Sequence, residues 1–132
     1  MELDSQNRKD AGVIALVRHG SYNTETGELD EKGREDARAV ASSLREKEEW
    51  TRIVTSPSRR TAETGRIIAN EIGIPMETDE RWAEMSKHRE RLAELTPGTI
   101  YVTHLPILRG LVAGWEPNVG EAKVIRLDEI SY

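Results

Sequence analysis

Arginine and histidine stand at three places in this sequence where an apolar run ends. Val13-Ile14-Ala15-Leu16-Val17 runs into Arg18, His19 and Gly20; Ile53-Val54-Thr55 runs into Ser56-Pro57, with Arg59 and Arg60 close behind; Ile100-Tyr101-Val102-Thr103 runs into His104. A guanidinium offers a planar fork of N–H donors that matches phosphate oxygens in pairs, and an imidazole can carry a proton or attack through a ring nitrogen. Gathered around one pocket, these side chains would neutralise and hydrogen-bond a phosphoryl group. Arg18-His19-Gly20 alone reads as an ordinary polar loop after a strand. The same kind of residue at two further junctions is what points to a single crevice.

The elements that must position these residues follow from period and punctuation. Five apolar residues in a row fit a strand buried on both faces, and in open α/β sheets ligands bind beyond the carboxyl ends of the strands. Gly20 permits a sharp turn, and residues 21 to 27 form a polar loop over the strand end. Asp30 is a fitting N-cap for a helix from 31 to 48, with Ala37, Val40, Ala41 and Leu44 as its apolar stripe. A second strand, 52 to 55, ends at Ser56-Pro57, which reads as the N-cap and first position of a helix running to 72. That helix has Ala62, Gly65, Ala69 and Ile72 on its inner face and stops at Gly73. A short edge strand at 74 to 78, an irregular connection at 79 to 85 and a short helix at 86 to 95, with His88 at its core rim, come next. Residues 99 to 103 form a third buried strand. Leu105-Pro106 opens a helix with Leu108, Leu111, Val112 and Trp115 as its stripe, and 122 to 127 close the sheet. The sum is one α/β layered domain.

Composition narrows the function further. A chain of 132 residues fits one domain, read as 11 to 132 behind a polar lead-in at 1 to 10. The absence of cysteine excludes disulfides, thiolate metal sites and a cysteine nucleophile. Three histidines without a His-Glu-x-x-His pattern leave no expected metal or other cofactor. A net charge of −5 argues against a nucleic-acid partner, and no apolar run approaches the ~20 residues of a membrane helix. A soluble cytoplasmic protein is expected. Trp50, Trp82 and Trp115 are assigned to the core or its rim, with Trp82 alone a candidate for ligand contact.

The three junctions resemble the motifs of the histidine phosphatase superfamily, the phosphoglycerate-mutase-like fold. Leu16-Val17-Arg18-His19-Gly20 is similar to its nucleophile motif, and Leu29-Asp30-Glu31-Lys32-Gly33 to the segment that follows. Ser56-Pro57-Ser58-Arg59-Arg60 with Thr64 is similar to its Ser-Pro-x-x-Arg motif, and Val102-Thr103-His104 to the third. The resemblance implies a three-layer αβα sandwich with a mostly parallel central sheet and a minimal cap. It implies that His19 is the nucleophile, forming a phosphohistidine intermediate, while Arg18, Arg60 and His104 bind the phosphoryl oxygens; the motif's spacing selects Arg60 over Arg59. Such chemistry is mostly positioning and charge neutralisation, and cations beside His19 would keep it neutral and nucleophilic. Arg81-Trp82-Ala83-Glu84-Met85 resembles the segment that supplies a general acid, which nominates Glu84, with Glu80 in reserve. Ser21 and Asn23 are candidates for a further hydrogen bond to phosphate, although Asn23 is not at the family's usual offset.

The substrate class follows from what the chain leaves out. Few residues lie between Gly73 and Thr99 to build a cap, so an open cleft and a protein-borne phosphate are expected, with inorganic phosphate as product. The small size and His104-Leu105-Pro106 resemble bacterial phosphohistidine phosphatases, and residues 18 to 34 resemble the mitochondrial serine/threonine phosphatase branch. A phosphomonoesterase of sugar or nucleotide phosphates is the alternative. A non-catalytic phosphate-binding module is the third reading, and it has no need of His19.

Overall fold

Each buried strand of this chain leads through a polar connection into an amphipathic segment, and helices on both faces are how a parallel sheet buries itself. In the computed structural model, which describes residues 12–83 and 95–130, β1 (Val13–Arg18) is followed by α1 (Glu31–Lys47), β2 (Arg52–Thr55), α2 (Arg59–Ile72) and β3 (Met76–Thr78). A 3-10 turn (Glu80–Ala83) comes next, then β4 (Thr99–Thr103), α3 (Leu105–Leu111), β5 (Ala122–Arg126) and a last 3-10 turn (Leu127–Glu129). The strands form one sheet in the order β3-β2-β4-β1-β5. Every pairing is parallel except that of β5, which runs antiparallel to β1.

Alternate strand residues serve opposite layers, as the period of two requires. Ala15, Val17, Ile53, Ile100 and Val102 pack against Val40, Ala41 and Leu44 of α1 and Ile68 and Ala69 of α2. On the opposite face Ile14, Leu16, Val54 and Tyr101 pack against Ile107, Leu108 and Leu111 of α3 and against Trp82. The result is the expected three-layer αβα sandwich. No helix among the described residues is long and apolar enough to cross a membrane.

Register brings the three junctions to one place. Arg18 is paired with Thr103 and Thr55 with Val102, so His19, His104 and Ser56 each lie one step past the ladder, on three adjacent strands. The chain passes from β1 to β2 in one direction and later returns to insert β4 between them. That reversal of strand order opens a crevice at the carboxyl ends.

Several expectations need correction. α2 begins at Arg59 with Ser58 as N-cap, its side chain accepting from the Thr61 amide, and not at Ser56-Pro57. The Ser56 amide still donates to the Val102 carbonyl at 3.2 Å, and its hydroxyl is taken up by Thr61 Oγ1 and His104 Nε2, which leaves the cap to Ser58. The inner face of α2 is Thr61, Thr64, Gly65, Ile68 and Ala69, with Ile72 partly buried against the same core; of the expected stripe only Ala62 is not on it. Gly65 earns its place in the packing, since a Cβ there would lie 2.4 Å from Thr55 Cγ2. α3 ends at Leu111, and Val112 and Trp115 pack against the core beyond it. The stripe of α1 is buried as expected, and Asp30 caps it by accepting from the Gly33 amide. The lead-in at 1 to 10, Glu84, His88 and nearly all of the helix expected at 86 to 95 lie outside the described residues.

Candidate active site

The site starts from a contact between two glycines. A Cβ on Gly20 would stand 2.9 Å from the Gly33 carbonyl oxygen, and one on Gly33 would stand 2.1 Å from the Ser21 carbonyl oxygen. Backbone therefore lies directly on backbone where the loop after β1 crosses the first turn of α1, which only glycine allows. The loop is closed by a bridge between Tyr22 and Leu29. Ser21 Oγ donates to Asp30 Oδ2 at 2.6 Å, and Asp30 Oδ1 accepts from the Gly33 amide at 2.8 Å. These two bonds, the hydroxyl's first, hold the Asp30 carboxyl below its usual range.

His19 is 5% exposed, and its Nδ1 lies 3.0 Å from the Gly20 carbonyl oxygen. A carbonyl can only accept, so Nδ1 carries the proton and Nε2 keeps its lone pair. The Gly20 amide donates to Thr64 Oγ1 at 3.0 Å, and that hydroxyl donates to the Arg60 carbonyl at 2.7 Å. One run of hydrogen bonds thus ties the imidazole's loop to the turn that carries Arg60.

The other groups close around this ring. His104 lies 5.5 Å from it, ring centre to ring centre, and is held through Nε2 by Ser56 Oγ at 2.8 Å. Ser56 Oγ is in turn 2.6 Å from Thr61 Oγ1. Tyr22 stands edge-on to His19 at 5.4 Å, and the Arg60 guanidinium sits 4.8 Å over the Tyr22 ring. Arg18 Nη1 donates to the Pro117 carbonyl at 2.9 Å. The Nε atoms of Arg18 and Arg60 are buried with no hydrogen-bond partner among the described residues. Buried donors are seldom left unpaired, and an oxyanion is what two guanidiniums on one cleft would pair with.

Burial is the main influence on both imidazoles, pushing His19 and His104 down to about 4. For His19 the Gly20 carbonyl opposes this, while Arg60 and then Arg18 add to it. For His104, Arg60, His19 and Arg18 all add to it. Both rings are neutral at pH 7. The cations lower the His19 pKa as expected, but withdrawal from water does more.

These residues line a cleft of about 560 Å³ that also includes Ser58, Ala83, Leu105 and Pro106. The structure thus brings Arg18, His19, Arg60 and His104 together. It does not bring in Ser21 or Asn23. The Ser21 hydroxyl is committed to Asp30, and Asn23 Oδ1 accepts from the amides of Glu25 and Thr26 in an exposed turn. Glu80 is exposed and absent from the lining, and Glu84 lies outside the described residues. Arg59 turns away, donating to the Thr26 carbonyl at 3.0 Å and pairing with Glu28 at 3.4 Å. Trp82 is core, stacked on Tyr101 at 4.7 Å, and its carbonyl accepts from Thr103 Oγ1 at 2.9 Å.

Tyr22 is a participant that sequence reasoning missed, and Ser56 and Thr64 stood in the second motif without a role in the site. Tyr22 carried a signal, as the one aromatic residue in an otherwise polar loop. Ser56 looked like a cap, and Thr64 was marked only by its place in the motif.

The sequence model of the histidine phosphatase superfamily (branch 1) matches residues 14–89, more than half of the chain. The chain belongs to this superfamily. Over 82 residues this histidine phosphatase superfamily member is 35% identical to the mitochondrial serine/threonine-protein phosphatase Pgam5 of Drosophila sechellia, a match to 58% of the chain and 28% of that protein. The chain therefore spans little more than a quarter of the curated relative's length. Among solved structures, a mycobacterial glucosyl-3-phosphoglycerate phosphatase with bound vanadate superposes with a TM-score of 0.71 at 18% identity, over 90% of this chain and 95% of that one. SixA of Agrobacterium tumefaciens, assigned as a phosphohistidine phosphatase, superposes with a TM-score of 0.69 at 16% identity, over 92% and 94%. A phosphoglycerate mutase of Plasmodium falciparum does so with a TM-score of 0.60 at 18% identity, over 75% and 65%. At these identities the likeness is one of fold, and it is the phosphoglycerate-mutase-like fold.

Proposed function

We propose that the protein is a phosphatase in which His19 attacks phosphorus. The observation that carries the reading is a buried, neutral imidazole with Nδ1 tied to the Gly20 carbonyl, in one cleft with Arg18, Arg60 and His104. Nε2 forms a bond to phosphorus while the bond to the leaving oxygen or nitrogen breaks, and the leaving group takes a proton. Water then attacks the phosphohistidine, the N–P bond breaks, and inorganic phosphate departs with His19 restored. The arginines and His104 hold the three phosphoryl oxygens as charge shifts among them, so that no metal or cofactor is called for. Glu84 is the proposed proton donor for alkoxide leaving groups; Ala83, just before it in the chain, lines the cleft.

The substrate in this reading is a phosphate borne on a protein, as phosphohistidine or phosphoserine/threonine. The match to a serine/threonine-protein phosphatase and the likeness to SixA support it. The fit to a glucosyl-3-phosphoglycerate phosphatase favours a second reading, a small phosphomonoester. The cysteine-free composition suits the cytoplasmic setting included in the proposal.

The test is turnover of an aryl phosphate with and without chelator, by wild type and His19→Ala. Wild type is expected to be fully active without added metal, and to yield an acid-labile, alkali-stable phosphoenzyme when quenched. His19→Ala should lose at least ~10⁴-fold in kcat while keeping its fold, as nucleophile removal does in other enzymes that act through a covalent intermediate. An inactive wild type, or an active His19→Ala, overturns the reading.

A further inference from the structure

A second basic surface lies beside the cleft, between α1 and α2. It is a groove of about 630 Å³ lined by Arg34, Arg38, Arg59 and Arg66, with Glu28 and Glu63 among them and Pro57, Ala62 and Ile67 on its apolar side. The two carboxylates are taken up locally. Glu28 pairs with Arg59 at 3.4 Å. Glu63 accepts from the Leu29 amide at 2.9 Å and lies 4.0 Å from Arg34. Arg34 also donates to the Leu29 carbonyl at 2.7 Å. Arg38 and Arg66, one on each helix, are exposed and make no hydrogen bond or ion pair among the described residues. The groove therefore carries two surplus positive charges on a chain whose net charge is −5.

The groove and the cleft share one segment of chain. Pro57 and Arg59 line the groove, and Ser58 and Arg60 line the cleft. A molecule with its phosphoryl group between Arg60 and His19 can thus continue past the first turn of α2 onto the four arginines.

We propose that this groove is a docking surface for an acidic segment of a phosphorylated protein substrate, rich in Asp and Glu near the phosphorylated residue. The proposal rests on the phosphatase reading and narrows its substrate class. Charge complementarity selects an acidic occupant, because the two unpaired guanidiniums can fork onto carboxylates without displacing an existing partner. The apolar side favours a polypeptide, whose side chains carry methylenes beside their charges. A long polyanion such as a nucleic acid would meet the net negative field of the rest of the chain.

The experiment pairs binding with kinetics on the full chain and on Arg38→Glu/Arg66→Glu, two positions outside the catalytic cleft. Fluorescence anisotropy of an unphosphorylated Asp/Glu-rich peptide reads docking without any turnover. Wild type should bind it, more weakly as salt rises, and the variant should bind at least about tenfold more weakly. With phosphopeptides, the variant's KM should rise by a similar factor for an acidic flank and stay unchanged for a neutral one. Turnover of an aryl phosphate should be equal in both proteins. Equal peptide binding by the two proteins, an equal KM change on both flanks, or tighter binding of an oligonucleotide than of the peptide overturns the docking proposal. Failure of the phosphatase reading would show separately, as no turnover of any substrate by wild type.

Discussion

The first turn of α2 separates two basic regions that the protein treats in opposite ways. On the cleft side Arg60 is partly buried, stacked on Tyr22, with an unpaired Nε beside two neutral imidazoles. On the groove side Arg59 is exposed and already satisfied by the Thr26 carbonyl and Glu28. Adjacent positions on a helix point about 100° apart, so one residue of phase decides between a low-dielectric pocket and a solvated rim. A cation in the pocket acts at full strength on the charge it meets, whereas one on the rim is screened and contributes affinity or steering.

The sharpest way to break this contrast is to delete each arginine in turn. Arg60→Ala should lower kcat/KM for an aryl phosphate by about 10²- to 10³-fold, the scale of removing a donor to developing oxyanion charge. Arg59→Ala should change it by no more than about twofold, the scale of an exposed pair. Steady-state kinetics on the two variants checks this, and equal losses would place both arginines in the same region.

A smaller effect is expected from the platform under Arg60. Tyr22→Leu removes both the face beneath the guanidinium and the edge against His19, and should lower kcat about tenfold. Tyr22→Phe keeps both contacts and should stay within about twofold of wild type. Loss of activity in the Phe variant would give the phenol hydroxyl the role assigned here to the ring.

The last and smallest contrast is in acid. His19 and His104 sit near 4 against an ordinary 6.5, so on unfolding they gain protons. Their contribution to stability is complete above pH 6.5 and is lost as pH falls from 6.5 toward 4. At about 1.4 kcal/mol per unit of pKa, each imidazole accounts for a few kcal/mol over that range. Denaturant melts between pH 7 and 4 should fall less steeply for His104→Gln than for wild type. The Arg38→Glu/Arg66→Glu variant should follow the slope these histidines impose on wild type. The acid limb of kcat/KM should likewise lie near pH 4 and not near 6.5, as expected when a neutral His19 is required.

What could be read from the sequence was what neighbours a few residues apart decide. The apolar runs of β1, β2 and β4, the Asp30 cap and the Gly73 stop are each set within one turn or one strand. The gathering of Arg18, His19 and His104 with the Arg59-Arg60 pair followed from the same reasoning, because strand ends of an α/β sheet meet at one crevice, while the choice of Arg60 over Arg59 came from the resemblance to the family's motif. What could not be read depends on distant partners. Ser56 leaves its apparent capping role for His104, 48 positions away. Gly20 reports to Thr64, 44 positions away, so Thr64 gives no local sign of its task. Ser21 and Asn23 were polar residues next to the site whose oxygens the loop had already claimed.

The meeting of Gly20 and Gly33 bears on how this protein can change. Each blocks a side chain through the other's stretch of backbone, so enlarging either position cannot be rescued by shrinking its partner, which is already minimal. A library randomised at these two positions should return the parent pair and little else. Adaptation to a new substrate then has to come from the rest of the cleft wall, at Leu105 and Pro106, where a larger or smaller side chain leaves the mounting of His19 untouched. The fold thereby divides the mouth of its own pocket into a part fixed in shape and a part open to diversification.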